Sequence, residues 1–221
     1  MPWYLVAVYR FILAVYCTGW IIYSGFYFTN GGPKWFIWLT NWGFFFVTLY
    51  FILSTVLTLL YHLKEKNQIN VDIQMNEPSK HETESGREGA VYELPPRWYH
   101  KALWVIYILA ANVAVIITCL YWGLINNEAA DPEGLALDIS NHLFNSVFLV
   151  IELLLSSMPI RLLHVVYPVV FTVVYMLFTV IYWAAEGTNP ANNKRYIYSY
   201  VDYSGNPGLA VMTRRAEMSS H

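Results

Sequence analysis

The sequence is poor in charged residues and in cysteine. Of its 221 residues, 13% are charged and 57% are hydrophobic, whereas soluble globular domains carry about 25% charged residues. Together with a mean hydropathy of +0.38, this composition excludes an ordinary soluble domain. The two cysteines, Cys17 and Cys119, both lie inside long apolar runs. They predict neither a disulfide framework nor a metal site.

The sequence also lacks the short motifs that mark common chemistries. It has no HExxH, CxxC, P-loop, GxGxxG or GxSxG pattern, which excludes the familiar zinc, nucleotide and serine-hydrolase sites. It contains no N-x-[ST] glycosylation sequon either. We therefore expect no metal, no cofactor and no nucleic-acid partner.

Long apolar runs dominate the sequence instead. A membrane-spanning helix needs roughly 20 mostly apolar residues, and five segments reach that length, at about 4–26, 35–63, 101–125, 135–157 and 160–183. These runs are apolar on every side and lack the alternation of barrel strands. The sequence predicts an all-α polytopic transmembrane helical bundle of five spans, forming one domain over 1–221 and surrounded by membrane lipid.

Basic residues in the loops predict the orientation of the bundle. Segment 64–100 is rich in Glu, Ser, Gly and Asn, which predicts a flexible loop. It carries five Lys and Arg residues, whereas the loop NNEAADPEG after the third span carries none. The positive-inside rule therefore makes 64–100 cytoplasmic. Five spans then place the polar tail, 184–221, outside, although its own basic residues favour the cytoplasm. The plasma membrane and the endoplasmic reticulum both stay open as locations.

The fourth predicted span carries polar residues that we call the polar seam: Asp138, His142, Asn145, Glu152 and Ser156. Their spacing places them along one helix face. Ionisable residues deep in a membrane are rare and mark candidate functional sites. Hydrogen bonding between helices is the alternative role for the seam. Arg10, in the first span, is expected to extend towards the cytoplasmic interface rather than to pair with Glu152.

Thr40 and His142 lie at similar predicted depths, one to two helical turns inside the outer ends of their spans. A hydroxyl and an imidazole are the minimum set for an activated nucleophile, since His accepts the proton while the Thr oxygen attacks an acyl carbonyl. They are the candidate catalytic pair, and the candidate supporting residues are Asn41, Asn141, Asn145 and Glu152. A threonine in a membrane helix also commonly hydrogen-bonds its own backbone.

Three segments resemble the rolling stone family: LTNWG at 39–43, SNHLFNSVFLVIEL at 140–153 and RYIYSYVDY at 195–203. The resemblance implies a multi-pass membrane protein associated with myoblast or cell fusion. The family pattern also continues into a sixth span. The ending SGNPGLAVMTRRAEMSSH is too short and polar to form it, so we expect five spans with the last one of the pattern missing.

The chain is similar, more distantly, to the androgen-induced membrane threonine hydrolases of the same superfamily. That likeness implies a function in lipid metabolism, the cleavage of fatty acid esters of hydroxy fatty acids. A fatty-acyl ester is then the expected substrate. Carried over to this sequence, Thr40 is the nucleophile and His142 the base. Fusion and hydrolysis are thus the two expected functions.

Overall fold

Helices make up almost all of the chain that the structure describes. The structure is a computed structural model, and it describes residues 2–27, 34–75, 98–125, 132–156, 162–190, 193–198 and 202–204. The α-helices in these ranges are α1 (Trp3–Tyr27), α2 (Leu39–Met75), α3 (Trp98–Leu120), α4 (Pro132–Ile139), α5 (Asn145–Leu155) and α6 (Val166–Ala184). No strand occurs within the described ranges. The predicted all-α class is confirmed.

Four helical segments are long and apolar enough to cross a membrane, namely Trp3–Phe26, Leu39–Lys64, Trp98–Gly123 and Leu163–Ala184. Large apolar side chains cover their outer faces, and Leu163 and Ile181 are 83% and 66% exposed. Such faces are unfavourable in water but match a hydrocarbon solvent, in which the helix satisfies its own backbone groups. These segments coincide with four of the five predicted spans, and the transmembrane bundle is confirmed.

The fourth predicted span is a helix interrupted by a wider turn. Helix α4, the π-helical turn Ser140–Phe144 and helix α5 follow one another without a gap, with 8, 5 and 11 residues. A π turn adds a residue to the helical repeat and changes which side chains share a face. Asp138 therefore belongs to a different helix from Glu152. The apolar helix Ser140–Leu155 is shorter than the four full spans.

Helix α2 lies at the centre of the bundle, in contact with both α1 and α3, while α3 also contacts α5 and α6. The α2 side chains Phe44, Val47 and Phe51 are at most 1% exposed and belong to one core cluster with residues of α1, α3 and α5. Gly43 allows α2 and α3 to approach closely, because a Cβ atom there would lie 2.9 Å from the Ile117 side chain.

The membrane-spanning part of α2 ends near Lys64, but the helix continues to Met75. The first part of the segment predicted as a loop is therefore helical, and residues 76–97 lie outside the described residues. Parts of the predicted polar tail pack back onto α6. The Tyr203 hydroxyl lies 2.8 Å from that of Thr179. The predicted lack of a sixth span concerns residues beyond 204, which also lie outside the described residues.

Candidate functional site

The carboxylate of Glu152 is fully buried in the bundle, with 0% exposure. Its Oε1 atom accepts hydrogen bonds from Arg10 Nε at 3.0 Å, Arg10 Nη2 at 2.5 Å and the Tyr50 hydroxyl at 2.7 Å. Arg10 Nη1 also donates to the Thr58 hydroxyl at 2.9 Å. These four residues, which we call the charge network, join α1, α2 and α5 around one ion pair.

The expectation that Arg10 avoids Glu152 is wrong. The guanidinium is 14% exposed and forms a direct ion pair with the carboxylate. A lone charge at the centre of a membrane helix costs on the order of 2.5–3.5 kcal/mol, so two opposite charges at similar depth gain by meeting. Both guanidinium donors reach the same carboxylate oxygen, Oε1, and hydrogen bonds between charged groups are stronger than those between neutral groups.

A second polar cluster surrounds His142 at the other end of the seam. The His142 ring stacks on Tyr121, with the centroids 3.6 Å apart and the planes within 5°. Its Nε2 atom lies 4.0 Å from Asp138 Oδ1, and the Tyr121 hydroxyl is a hydrogen-bond partner of that carboxylate. The buried Nδ1 atom has no hydrogen-bond partner within the described residues. Stacking on Tyr121 fixes the plane of the imidazole, and the Asp138 carboxylate lies near Nε2 but beyond hydrogen-bond distance.

The backbone of the π turn is held by hydroxyl groups. Thr118 of α3 donates to the carbonyl of His142 and lies 2.7 Å from the Ser146 hydroxyl. The hydroxyls of Tyr16 and Ser140 are 3.0 Å apart, which joins α1 to the start of the turn. A π turn leaves irregular backbone bonding that side chains can satisfy. The position of His142 is therefore set by contacts from two other helices.

Thr40 lies in a different group of polar contacts, near the start of α2. The Tyr198 hydroxyl accepts a hydrogen bond from the Leu39 amide at 3.1 Å and also interacts with the Thr40 hydroxyl. The Tyr175 hydroxyl donates to the Ile37 carbonyl at 2.7 Å. Burial raises the pKa of Tyr198 above its ordinary value, so its hydroxyl stays protonated and can both donate and accept.

The partners of the two predicted catalytic residues come from different elements. Thr40 interacts with Tyr198 of the tail, whereas His142 contacts Tyr121 and Asp138. No hydrogen bond between Thr40 and His142 occurs among the residues described. Their catalytic pairing stays a prediction.

The predicted supporting residues are buried, and most of their amide donors bond to backbone. Asn41 Nδ2 donates to the Trp35 carbonyl at 2.6 Å, and Asn145 Nδ2 to the Asn141 carbonyl at 2.6 Å. The Oδ1 atoms of Asn141 and Asn145 have no partner in the described part of the chain. Burying an amide oxygen without a hydrogen-bond partner costs free energy. The region around His142 therefore contains more polar groups than the described hydrogen bonds use.

Sequence reasoning did not find the tyrosines that complete both clusters. Tyr50 and Tyr121 lie within or at the end of spans and bind Glu152 and Asp138. A buried tyrosine hydroxyl normally needs a hydrogen-bond partner. For Tyr50, the position far from the interfacial ends of its span was the available signal, whereas Tyr121 lies at a span end and carries no such signal. Within the described ranges, no group of three or more His, Cys, Asp or Glu residues could hold a metal ion.

Comparison with known proteins identifies the family. The sequence profile described as Protein rolling stone matches residues 3–215. Protein rolling stone of Drosophila melanogaster is 29% identical over 208 residues, a match that covers 93% of this chain and 69% of the relative. No solved structure matches the chain. With its membrane-spanning helices, this chain belongs to the rolling stone family of multi-pass membrane proteins.

Proposed function

We propose that this chain acts in cell fusion, as a multi-pass membrane protein whose helical bundle is a stable scaffold. Membership of the rolling stone family supports the biological role, since the resemblance to that family implies myoblast or cell fusion. The observation that carries the scaffold role is the charge network. Its one buried carboxylate is used to join three helices, with Arg10 and Tyr50 already bound to it.

The seam therefore acts mainly through assembly rather than through chemistry. Glu152 and Asn145 are both fully buried. Replacing either by leucine leaves neighbouring polar groups without partners inside the bundle, which is costly in a low-dielectric environment. Replacing Thr40 by alanine removes one hydroxyl near the membrane surface and leaves the charge network intact.

A fusion assay with rescue tests this proposal. Fusion-competent cells that lack the endogenous relative receive wild type, Glu152→Leu or Thr40→Ala, and the amount of protein in the membrane is measured for each. We expect Glu152→Leu to reduce both membrane level and fusion, and Thr40→Ala to retain both. Normal fusion by Glu152→Leu, or loss of fusion by Thr40→Ala at a normal membrane level, would overturn the scaffold role. Failure of the wild-type protein to restore fusion in these cells would overturn the fusion role.

An intramembrane threonine hydrolase is the second candidate function, and the surroundings of His142 favour it. The Tyr121 ring stacks on the His142 ring, and the Asp138 carboxylate lies 4.0 Å from its Nε2 atom. In this mechanism the Thr40 oxygen attacks the carbonyl of a fatty acid ester of a hydroxy fatty acid, and His142 accepts the hydroxyl proton. The released hydroxy fatty acid takes up that proton as it leaves. Water then hydrolyses the acyl-threonine and releases the free fatty acid.

Ester hydrolysis by the purified chain tests the second candidate. The protein is incubated with a hydroxy-fatty-acid ester and separately labelled with a fluorophosphonate probe. We expect Thr40→Ala and His142→Ala to abolish turnover, and Asp138→Asn to lower kcat more than it raises KM. Thr172→Ala is the matched control, because the Thr172 hydroxyl only bonds the Pro168 carbonyl one turn away. Equal turnover by Thr40→Ala and wild type would exclude the mechanism.

A further inference from the structure

A cavity of about 430 Å³ lies where α6 ends, next to the residues that precede α2. Its lining includes Lys34, Phe36, Phe178, Glu186 and Thr188. The membrane-spanning segments begin at Leu39 and end at Ala184, so both charged residues lie just beyond the apolar spans, at headgroup depth. We propose that this cavity binds the headgroup of a zwitterionic phospholipid. The proposal does not depend on either candidate function.

Both signs of charge are present at this cavity. Lys34 Nζ donates to the Thr188 hydroxyl at 2.8 Å. An ammonium group has three donors, so this bond leaves donors suited to a phosphate oxygen. Glu186 supplies the negative charge, and its side chain is 79% exposed. Arg195 Nη2 lies 3.4 Å from Glu186 Oε1, and a carboxylate has a second oxygen for a headgroup ammonium.

The acidic residue at the cavity occupies an unfavourable backbone conformation. Glu186 has φ 58°, in the left-handed region where glycine is usual. The Glu186 amide donates to the Trp183 carbonyl and the Gly187 amide to the Tyr182 carbonyl, the hydrogen-bond pattern of a Schellman helix end. Glycine at 186 would adopt this conformation without the steric cost that a Cβ atom imposes. A carboxylate at a position where glycine would be less strained is consistent with a need for its negative charge.

Close packing fixes the turn that carries Glu186. Gly187 packs directly on the Tyr182 ring, since a Cβ atom there would lie 2.5 Å from the ring carbons. The Tyr182 hydroxyl donates to the Thr188 carbonyl at 3.0 Å. These contacts hold the backbone between Glu186 and Thr188 against α6. Glu186 therefore projects from fixed backbone at one side of the cavity, and the Lys34 ammonium group bonds the Thr188 side chain of the same turn.

The cavity is continuous with an apolar helix face. Phe36 and Phe178 form part of its wall, and Val174 and Ile181 of α6 are exposed to the bilayer. An acyl chain attached to a headgroup in the cavity can lie along this face and bury apolar surface. A free phosphate ion would lack these apolar contacts. A phospholipid satisfies the charges and the apolar wall together.

Native mass spectrometry of the full chain with defined lipids tests the proposal. The purified protein is mixed with equal amounts of dioleoylphosphatidylcholine, dioleoylphosphatidylglycerol and diolein, and the retained lipid is counted. We expect phosphatidylcholine to be retained most and diolein least. Retention of diolein at the same level as phosphatidylcholine would overturn the proposal, because it would show apolar adhesion alone. Inorganic phosphate at millimolar concentration should not displace the lipid, and displacement would also overturn it.

Three variants assign the effect to this cavity. Lys34→Gln should lower phosphatidylcholine retention about fivefold, the size expected for one interfacial charge. Glu186→Gly relieves the left-handed strain, so it should fold as stably as wild type while its preference moves to anionic phosphatidylglycerol. Lys101→Gln, an exposed lysine at the start of α3, should behave as wild type. Unchanged lipid preference in both Lys34→Gln and Glu186→Gly would refute the site.

Discussion

Separating Arg10 from Glu152 should destabilise the bundle more than any neutral change of similar size. Arg10→Met leaves a carboxylate that is 0% exposed with only the Tyr50 hydroxyl on its bonded oxygen. Removing one partner of a buried ion pair costs about 3–5 kcal/mol, because the other charge is left uncompensated. Interhelical hydrogen bonds between neutral groups in membranes average about 0.6 kcal/mol. Tyr50→Phe, which removes one donor to a charged acceptor, should therefore cost less than Arg10→Met.

The double variant Arg10→Met/Glu152→Leu distinguishes an ion pair from two independent packing contacts. Removing both charges removes the desolvation cost as well as the attraction. We expect the double variant to be at least about 2 kcal/mol more stable than Arg10→Met alone, as a double-mutant cycle with strong coupling. Additive losses would refute the reasoning, since they would show that the two charges do not compensate each other.

The cysteines provide the assay for this cycle. Cys17 is buried with 0% exposure, whereas Cys119 is exposed. In a Cys119→Ser background, a thiol-reactive dye reports thermal unfolding through Cys17 alone. A loss of 3–5 kcal/mol corresponds to a fall in Tm of about 6–20 °C for a chain of this size. The Cys119→Ser protein itself is the reference for every variant.

Three further predictions concern packing and exposure. Gly43→Ala should lower Tm by a few degrees in the same dye assay, because the added Cβ would crowd two side chains of α3. Gly19 has open space around it, so Gly19→Ala should leave Tm unchanged or raise it. Tyr175→Phe should cost about 1 kcal/mol through loss of a buried hydrogen bond, and an unchanged Tm would show that this bond contributes nothing. In detergent, a maleimide should label Cys119 much faster than Cys17, as mass spectrometry can measure, and equal rates would contradict the packing of α1.

Much of the fold follows from local sequence properties. Length and apolarity place four spans within a few residues of their structural bounds, since a helix satisfies the backbone groups of a long apolar segment that crosses hydrocarbon. The interruption between α4 and α5 does not follow from them. Helical spacing assumes 3.6 residues per turn, and the π turn at Ser140–Phe144 departs from that repeat. The seam is therefore two clusters, one at His142 and one at Glu152.

The candidate site was only partly accessible to the same reasoning. The burial of His142, Asn145 and Glu152 agrees with the idea that polar residues in a membrane face the protein interior. The pairing of Arg10 with Glu152 does not follow from spacing, because the two residues lie in different spans. A similar depth alone does not show which helix faces meet. The sequence does not single out Tyr121, because an aromatic residue near a span end is usually interfacial.

The sequence by itself determined that this chain crosses a membrane as helices, because hydropathy acts along a single segment. Only the tertiary structure decided the partners. Arg10 and Glu152 are separated by 142 residues and Tyr50 and Glu152 by 102. In a bilayer, an apolar helix face contacts lipid about as favourably as it contacts another helix. Polar contacts of this kind and close packing therefore set how each helix is rotated and which helices it touches. These contacts exist only once the helices have assembled.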